Sequence, residues 1–408
     1  MTFQPLRTLA PFSPPTHEQI WLDTATALAA EFAATAAELD DSGEAPVANL
    51  AALHDAGLDS AFLPVRFGGE GVSTVTFGNV LATISKGCPS TACIWLMHVG
   101  AAASLIAMGT PETSAFFQAE LKAGKRFANA LSEPTSGNLF LMPLQVAEPV
   151  DGGWALTGAK RFVSGCEIAD YFLVNAVVDG VPNFFGVDSN PTITFVPIWD
   201  TLGLRATRSQ LMSLDGTLLA AERRCSPPTV ETPNPIGVGL PWLSIGIAEA
   251  ALDALITHAR GRIIPSTDKP LSHMQWVQFE TAEAAIALDA AKLLAGRAMW
   301  LADQTSPETL PAALAAKLSA NQVAVQVAQL AVKVGGASGF LRTSAIQRHF
   351  RDAQAGALMA YSVELCRDTT ARPSSACNRS RLQRASADER RALAVSYTHL
   401  TLPTIYSV

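Results

Sequence analysis

The stretch FANALSEPTSGNLFLMPLQVAEPVDGGWALTGAKRFVSG, Phe127–Gly165, decides how the rest of the chain is read. A short apolar run stops at Ser132-Glu133-Pro134, because Pro134 cannot donate to a sheet ladder and pushes Glu133 away from helical backbone. Asp151-Gly152-Gly153 is a tight-turn signal ahead of an alternating run, Trp154, Leu156 and Gly158. That run leads into Lys160-Arg161-Phe162-Val163-Ser164-Gly165. Two strands and a Ser-Glu-Pro turn are predicted here.

Working outward, the alternating period persists to about Arg224. Tyr171–Val178 and Val181–Val187, joined by Asp179-Gly180, predict a hairpin. Leu202-Gly203-Leu204-Arg205 and a Leu214-Asp215-Gly216 turn complete a small β-domain. It holds no G-x-G-x-x-G and no Walker loop, which excludes a Rossmann or P-loop nucleotide site.

On both sides the period is helical. Thr16-His17-Glu18-Gln19 has the pattern of a capping box opening a helix that runs to Leu39. A second helix is predicted over Pro46–Ala56, stopping at Gly57. After the Pro- and Gly-dense Leu63–Gly71 loop come helices over Val75–Lys86, Thr91–Met108 and Pro111–Lys122. Beyond Pro241 the pattern predicts helices over Trp242–Ile264, Leu271–Ala302 and Pro311–Val334, with Ser306-Pro307 capping the third. Gly335-Gly336-Ala337-Ser338-Gly339 breaks the pattern before a last helix from about Ser344 into the 360s, giving a four-helix bundle.

At 408 residues the chain suggests two or three domains, and 49% hydrophobic against 16% charged residues marks an ordered globular protein. So few charges also hint that partner subunits cover some apolar surface. The net charge is −7, and no basic run precedes the last thirty-odd residues, which argues against nucleic acid. Six cysteines without a C-x-x-C pair read as reduced, buried thiols of a cytoplasmic protein. The proline-rich start has no long apolar core and does not read as a secretory signal. Thr91–Met108 lacks Asp, Glu, Lys and Arg and just reaches spanning length, yet carries His98 at its centre and no basic or aromatic belt. It is predicted to be a buried helix, not a membrane span.

Ser-Glu-Pro at residues 132–134 followed by Phe-Val-Ser at 162–164 resembles the middle domain of the acyl-CoA dehydrogenase superfamily. The Leu-Pro-x-x-Phe-Gly-Gly-x-Gly loop from Leu63 resembles that family's N-terminal helical domain. Arg262, Gln275-x-x-x-Phe279 and Arg348-His349-Phe350-Arg351-Asp352 resemble its C-terminal domain. The resemblance implies an α+β fold: an N-terminal helical domain over residues 1–123, a β-barrel or sandwich over 124–228 and a four-helix bundle over 229–368. It implies FAD held between Asn129, Leu131 and Ser132 on one strand and Phe162, Val163 and Ser164 on the other. Arg262, Gly335 and Gly336 would reach the pyrophosphate of a neighbouring subunit's FAD in a homotetramer or homodimer. An acyl-CoA substrate and an electron-transfer flavoprotein as acceptor follow from the same resemblance.

One departure stands out. Removing an α-proton from a thioester needs a base, and relatives most often place a Glu nine residues after the Arg of the Arg-Asp pair. That position here is Ala360, and the alternative seat of a branched-chain subset falls near Ile236. Glu364 lies one helical turn beyond Ala360. Three readings follow: an acyl thioester oxidoreductase with its base displaced, a flavin monooxygenase of the same fold, or a non-catalytic subunit of a hetero-oligomer. For the second, FMN and a flavin reductase replace FAD and the flavoprotein acceptor, and His98 is a candidate acid/base. After about Asp368 the character changes: 372–391 is rich in Arg and Ser. SYTHLTLPT, Ser396–Thr404, resembles the translated adaptor of transposon-based sequencing libraries. Residues 369–408 are therefore expected to be non-native or disordered.

Overall fold

The computed structural model describes residues 12–135, 140–229 and 232–371. The adaptor-like tail, the Arg- and Ser-rich stretch before it and Cys377 lie outside the described residues. Helices α1 (Gln19–Ser42), α2 (Val47–Asp55), α3 (Leu58–Ala61), α4 (Thr74–Gly87), α5 (Pro89–Met108) and α6 (Pro111–Lys122) come first. Seven strands follow: β1 (Phe127–Ala130), β2 (Glu148–Val150), β3 (Gly153–Val163), β4 (Tyr171–Val178), β5 (Val181–Asp188), β6 (Ile193–Val196) and β7 (Gln210–Ala220). The chain returns to helix in α7 (Pro235–Gly261), α8 (Gln275–Asp303), α9 (Thr309–Phe340), α10 (Ala345–Ala353) and α11 (Val363–Ala371). A two-residue ladder, β8 (Ile263–Ile264) with β9 (Lys269–Pro270), sits between α7 and α8.

The first and last helical regions do not have separate cores. Phe32, Leu81 and Trp95 from the first pack in one cluster with Trp242, Met299 and Val327 from the second. Close approach requires small residues at the seams: a Cβ on Gly246 of α7 would stand 2.3 Å from the Ala82 carbonyl of α4. In packing terms the N-terminal helices and the C-terminal helices are one body, and the β-domain is the second. Helix α5 is buried as its sequence predicts, with 83% of its apolar window inside the protein. By length and composition α7 and α9 could also span a membrane, and their windows are 78% and 44% buried. The five cysteines among the described residues are free and buried.

Two sheets build the β-domain, ordered β1-β4-β5 and β2-β3-β7-β6. β1 runs parallel to β4, and the other pairs are antiparallel. Between the sheets lie Phe172, Val174, Phe185, Leu156 and Met212. The Asp179-Gly180 hairpin forms as predicted, both residues taking positive φ (52° and 77°), as a two-residue primed turn demands. Leu214-Asp215-Gly216 is not a turn. β7 passes straight through it, and an extra residue opposite Leu156 and Gly158 makes a bulge.

Several helix ends differ from the sequence reading. Thr16 makes no cap: residues 16–18 form a 3₁₀ turn, and Glu18 instead accepts hydrogen bonds from Ser73 N (3.0 Å) and Ser73 Oγ (2.5 Å) at the start of α4. Long-range burial wins over the local pattern. Helix α7 begins before Pro241, at Asn234, whose side chain accepts from Gly237 N at 2.9 Å, with Pro235 at the first position. Pro241 forfeits one helical hydrogen bond inside a fully packed segment, a cost that burial of Leu240, Trp242 and Leu243 outweighs. α9 starts at Thr309, not behind Ser306, and runs through the glycine cluster with only Gly336 (φ 53°, ψ −146°) leaving helical geometry. The predicted fourth long helix is short: α10 ends at Ala353, and a 3₁₀ turn and bends separate it from α11.

Candidate active site

The ends of β1 and β3 meet. Arg161 N donates to Ser132 O at 2.8 Å, so the chain leaving β1 lies beside the last turn of β3. The Ser132-Glu133-Pro134 turn is fastened from below by a buried ion pair. Lys160 and Glu133 have fully buried side chains, with Nζ 2.9 Å from Glu133 Oε1. The other two Nζ protons go to Asn175 O (2.7 Å) and Asn175 Oδ1 (2.9 Å), which satisfies the ammonium completely. Glu133 also accepts from Leu144 N at 2.8 Å and Gln145 N at 3.3 Å. Burial pushes the Lys160 pKa down, and the Glu133 carboxylate acts against that shift. The sequence carried a signal for this: Lys160 continues the inward row of Trp154, Leu156 and Gly158, and a cation on that row needs a partner.

Just past Lys160 the ladder slips. Lys160 pairs with Met212 but Val163 with Gln210, so β3 carries one extra residue and bulges. Phe162 takes φ 60° at the bulge and is turned outward, 52% exposed, while Val163 is fully buried. Its ring meets Trp199 edge-on at 6.2 Å and lies under the Arg161 guanidinium at 4.8 Å. Phe162 is therefore a presented aromatic face and not core filling. Asn129 donates from Nδ2 to Met97 O of α5 at 2.8 Å; Leu131 and Ser132 are half-buried. Ser164 is nearly buried, its Oγ 2.8 Å from Ser209 Oγ. These six residues are brought together by the two strand ends.

The others stand elsewhere. Arg262 is exposed at the C-terminal end of α7, and Gly335 packs against Ile346. Both border a small cluster of Leu255, Ala259, Val334 and Ile346 at one end of the helical body, separate from the core of the β-domain. His98 corrects an expectation. It is 1% exposed, its Nδ1 accepts Phe127 N–H at 3.0 Å, and its Nε2 lies 3.3 Å from Asp59 Oδ2. Burial pushes the Asp59 carboxyl up, but His98, Arg126 and His54 around it hold its pKa at about 2. His98 is a buried strut between α5, α3 and β1, with Nδ1 on the Phe127 amide and Nε2 facing Asp59.

Residue 360 is not helical. Ala360 lies in a bend between the 3₁₀ turn Ala355–Ala357 and α11, and it is half-buried. Next to it Tyr361 is buried at φ 59°, its hydroxyl taking a hydrogen bond from Asn234 Nδ2 at 3.3 Å. Glu364 is half-buried in the first turn of α11, close enough to Cys366 to help burial raise that thiol's pKa. Ile236 fills the notch left by Gly100 of α5, where a Cβ would stand 2.4 Å from its side chain. Neither seat offers a carboxylate. Asn234 also borders a cavity of about 640 Å³, with Phe62, Phe77, Val99 and Leu310 on its walls and none of the six strand-end residues. Among the described residues no cluster of His, Cys, Asp and Glu could hold a metal ion.

Comparison with known proteins gives a consistent result. Residues 14–125 match the family model of the acyl-CoA dehydrogenase N-terminal domain, and residues 238–373 that of the C-terminal domain. The bovine mitochondrial short-chain specific acyl-CoA dehydrogenase is 27% identical over 358 residues, which span 84% of this chain and 85% of that protein. Butyryl-CoA dehydrogenase from Megasphaera elsdenii has the same fold, with a TM-score of 0.81 at 23% identity over 91% of this chain and 98% of its own. So does KijD3 in complex with FMN and a dTDP-linked amino sugar, with a TM-score of 0.75 at 22% identity, covering 88% and 93% of the two chains.

Proposed function

Because this chain belongs to the acyl-CoA dehydrogenase superfamily, we propose that it is an FAD-dependent oxidoreductase that oxidises the CH–CH bond beside an acyl thioester. The observation that carries the proposal is the meeting of the β1 and β3 ends, where Arg161 N donates to Ser132 O at 2.8 Å beside the outward-turned Phe162. The β3 bulge supports it directly, since a half-exposed Phe162 offers a flat apolar wall to a flavin ring. Ser132 and Ser164 flank it with hydroxyl and backbone groups suited to the polar edge of that ring. Bound there, FAD would supply the acceptor for the β-hydride of the substrate. Phe162, Ser132 and Ser164 would hold the ring, with the Lys160–Glu133 pair and Val163 buried behind the strand ends.

The cavity is the compartment we assign to the acyl group. Its volume is within the range of small-ligand sites. Asn234 on its wall contacts Tyr361, the neighbour of residue 360, so the compartment lies beside the seat from which a base would act. With alanine at residue 360, that seat supplies no carboxylate for α-proton removal. The same observation favours one further reading, a flavin monooxygenase using FAD or FMN with a flavin reductase as partner, because hydroxylation needs no α-proton abstraction.

Oligomerisation belongs to the proposal. Trp276, Phe279, Ile286 and Leu293 lie on α8 with exposures of 42%, 58%, 65% and 48%. Spacings of three and seven residues place them along one face, and we assign that face to another copy of the chain, as a homodimer or homotetramer. The test is anaerobic reduction of the FAD-loaded protein by a panel of acyl-CoA thioesters, with its mass read by light scattering. Slow bleaching of the flavin, followed by electron release to an artificial acceptor or an electron-transfer flavoprotein, is expected from a particle of two or four chains. Bleaching by no thioester, with rapid consumption of O₂ once the flavin is reduced by other means, speaks for the monooxygenase. No turnover of either kind leaves the non-catalytic subunit.

A further inference from the structure

The cavity assigned to the acyl group carries a charge that its own wall does not answer. One acid, Asp59, and one base, Arg66, stand among the residues that line it. Asp59 is buried and already engaged. Arg126 Nη1 and His54 Nδ1 lie 3.0 and 3.2 Å from its Oδ2, and Trp95 Nε1 donates to Oδ1 at 3.1 Å. Arg66 is exposed at the rim and makes no ion pair among the described residues. Glu70, the acid of the same loop, is exposed and does not pair with it.

The loop that presents Arg66 is held firmly. Arg66 is the middle residue of the 3₁₀ turn Val65–Phe67. Beyond it the chain closes back on the end of α3, with Gly71 N donating to Leu63 O at 3.0 Å and Val72 N to Ala61 O at 3.1 Å. Gly69 is pressed so close that a Cβ there would stand 2.2 Å from Leu63 O. The guanidinium lies over the Phe67 ring, 4.9 Å from its centroid, a contact that steadies it without using any of its five N–H donors. Lys122, at the end of α6, lies against the same loop, since a Cβ on Gly68 would stand 3.2 Å from its Nζ. Exposed and without an ion pair among the described residues, it adds a second positive charge beside the rim.

Away from the rim the wall is apolar, with Phe62 and Phe77 upon it, but it keeps one polar atom in reserve. Thr309 Oγ1 is buried there with no hydrogen-bond partner. A ligand of hydrocarbon alone leaves both that hydroxyl and Arg66 unanswered. Asn234, through Tyr361, marks where the thioester belongs, so Arg66 meets another part of the ligand. The group that matches a guanidinium best is a carboxylate, which takes two parallel N–H bonds from it.

We propose that the acyl group taken by this cavity ends in a carboxylate, and that Arg66 is the specificity-determining residue that binds it. This rests on the assignment of the cavity to the acyl group. The substrate class is then the thioester of a dicarboxylic acid, its methylenes against the aromatic wall and its free carboxylate at the rim. Held there by an exposed guanidinium, the carboxylate keeps part of its hydration and escapes the cost of burial among Phe62 and Phe77. The phosphates of coenzyme A offer a guanidinium the same anionic chemistry, and the test separates the two sources.

Calorimetric titration of the FAD-loaded full-length protein tests this. The probes are hexanoyl-CoA against adipoyl-CoA, octanoyl-CoA against suberoyl-CoA, and coenzyme A alone. Within at least one pair of equal length the dicarboxylic member is expected to bind about tenfold or more tightly. Arg66→Gln is expected to bring that ratio close to one by weakening the dicarboxylic member, and Arg66→Lys to keep part of it, since the charge remains while the two-pronged geometry is lost. Arg66 is exposed, so the melting temperature of both variants should stay at the wild-type value. Equal affinity within both pairs in wild type overturns the proposal, as does a preference that survives Arg66→Gln. A loss in Arg66→Gln shared equally by coenzyme A assigns the guanidinium to a phosphate and overturns it too. Failure of every thioester to bind overturns the acyl assignment beneath it, and is recognised by the absence of heat from both members of each pair and not by their equality.

Discussion

Lys160→Met is expected to cost about 3–5 kcal/mol of stability, seen as a lower urea midpoint, and to abolish flavin uptake with it. The substitution leaves the Glu133 carboxylate fully buried with its cation gone. Backbone N–H groups, those of Leu144 and Gln145 among them, remain as donors to it, but neutral donors do not replace an ammonium that also bridged to Asn175. The loss should localise to the β-domain, because Lys160 spans from β3 to β4 across its core. Glu133→Gln combined with Lys160→Met is expected to recover a large part of the stability, since removing both charges removes the unpaired one. If the single substitution melts like wild type, the pair is not what fastens the Ser-Glu-Pro turn.

Ala360→Glu is expected to raise α-proton exchange or dehydrogenation of an acyl thioester about 10²–10⁴-fold, the usual worth of a positioned general base. The site for that side chain is held on both sides. Lys317 Nζ, buried in α9, donates to Gly356 O at 2.9 Å, and Tyr361 is pinned through Asn234 and edge-on against Phe140 at 5.1 Å. A carboxylate introduced there therefore starts from a fixed backbone, although not from a helix as the sequence predicts. Wild-type protein with brisk dehydrogenase activity toward an ordinary acyl-CoA contradicts this account. It means a base acts from elsewhere, with Glu364 the first residue to substitute.

The architecture was legible in the sequence because its signals are local. The Asp-Gly hairpin, the change of period at Phe127 and the charge-free α5 each depend on a few neighbouring residues. What was not legible is long-range. Glu18 abandons its own helix to serve α4, and Pro241 is absorbed into α7 because buried neighbours on both sides outweigh one lost hydrogen bond. His98 looked like an available base until Asp59 and the Phe127 amide closed around it. Ser164 could be picked out from its motif, but its hydroxyl partner Ser209 stands 45 residues further along the chain. No spacing rule reaches that far.

The central claim is that a flavin ring lies at the meeting ends of β1 and β3, against Phe162. Titrating purified wild-type and Phe162→Ala protein with FAD, followed by the visible flavin spectrum, tests it most directly. Phe162 is half-exposed on a bulge, so alanine there disturbs little packing of the protein itself. Wild type is expected to bind FAD with a perturbed spectrum, and Phe162→Ala to bind it about tenfold or more weakly with an unchanged melting temperature, as the loss of one stacked aromatic wall implies. Equal affinity in the two proteins, or a folded wild type that leaves the spectrum of free FAD unaltered, would contradict it.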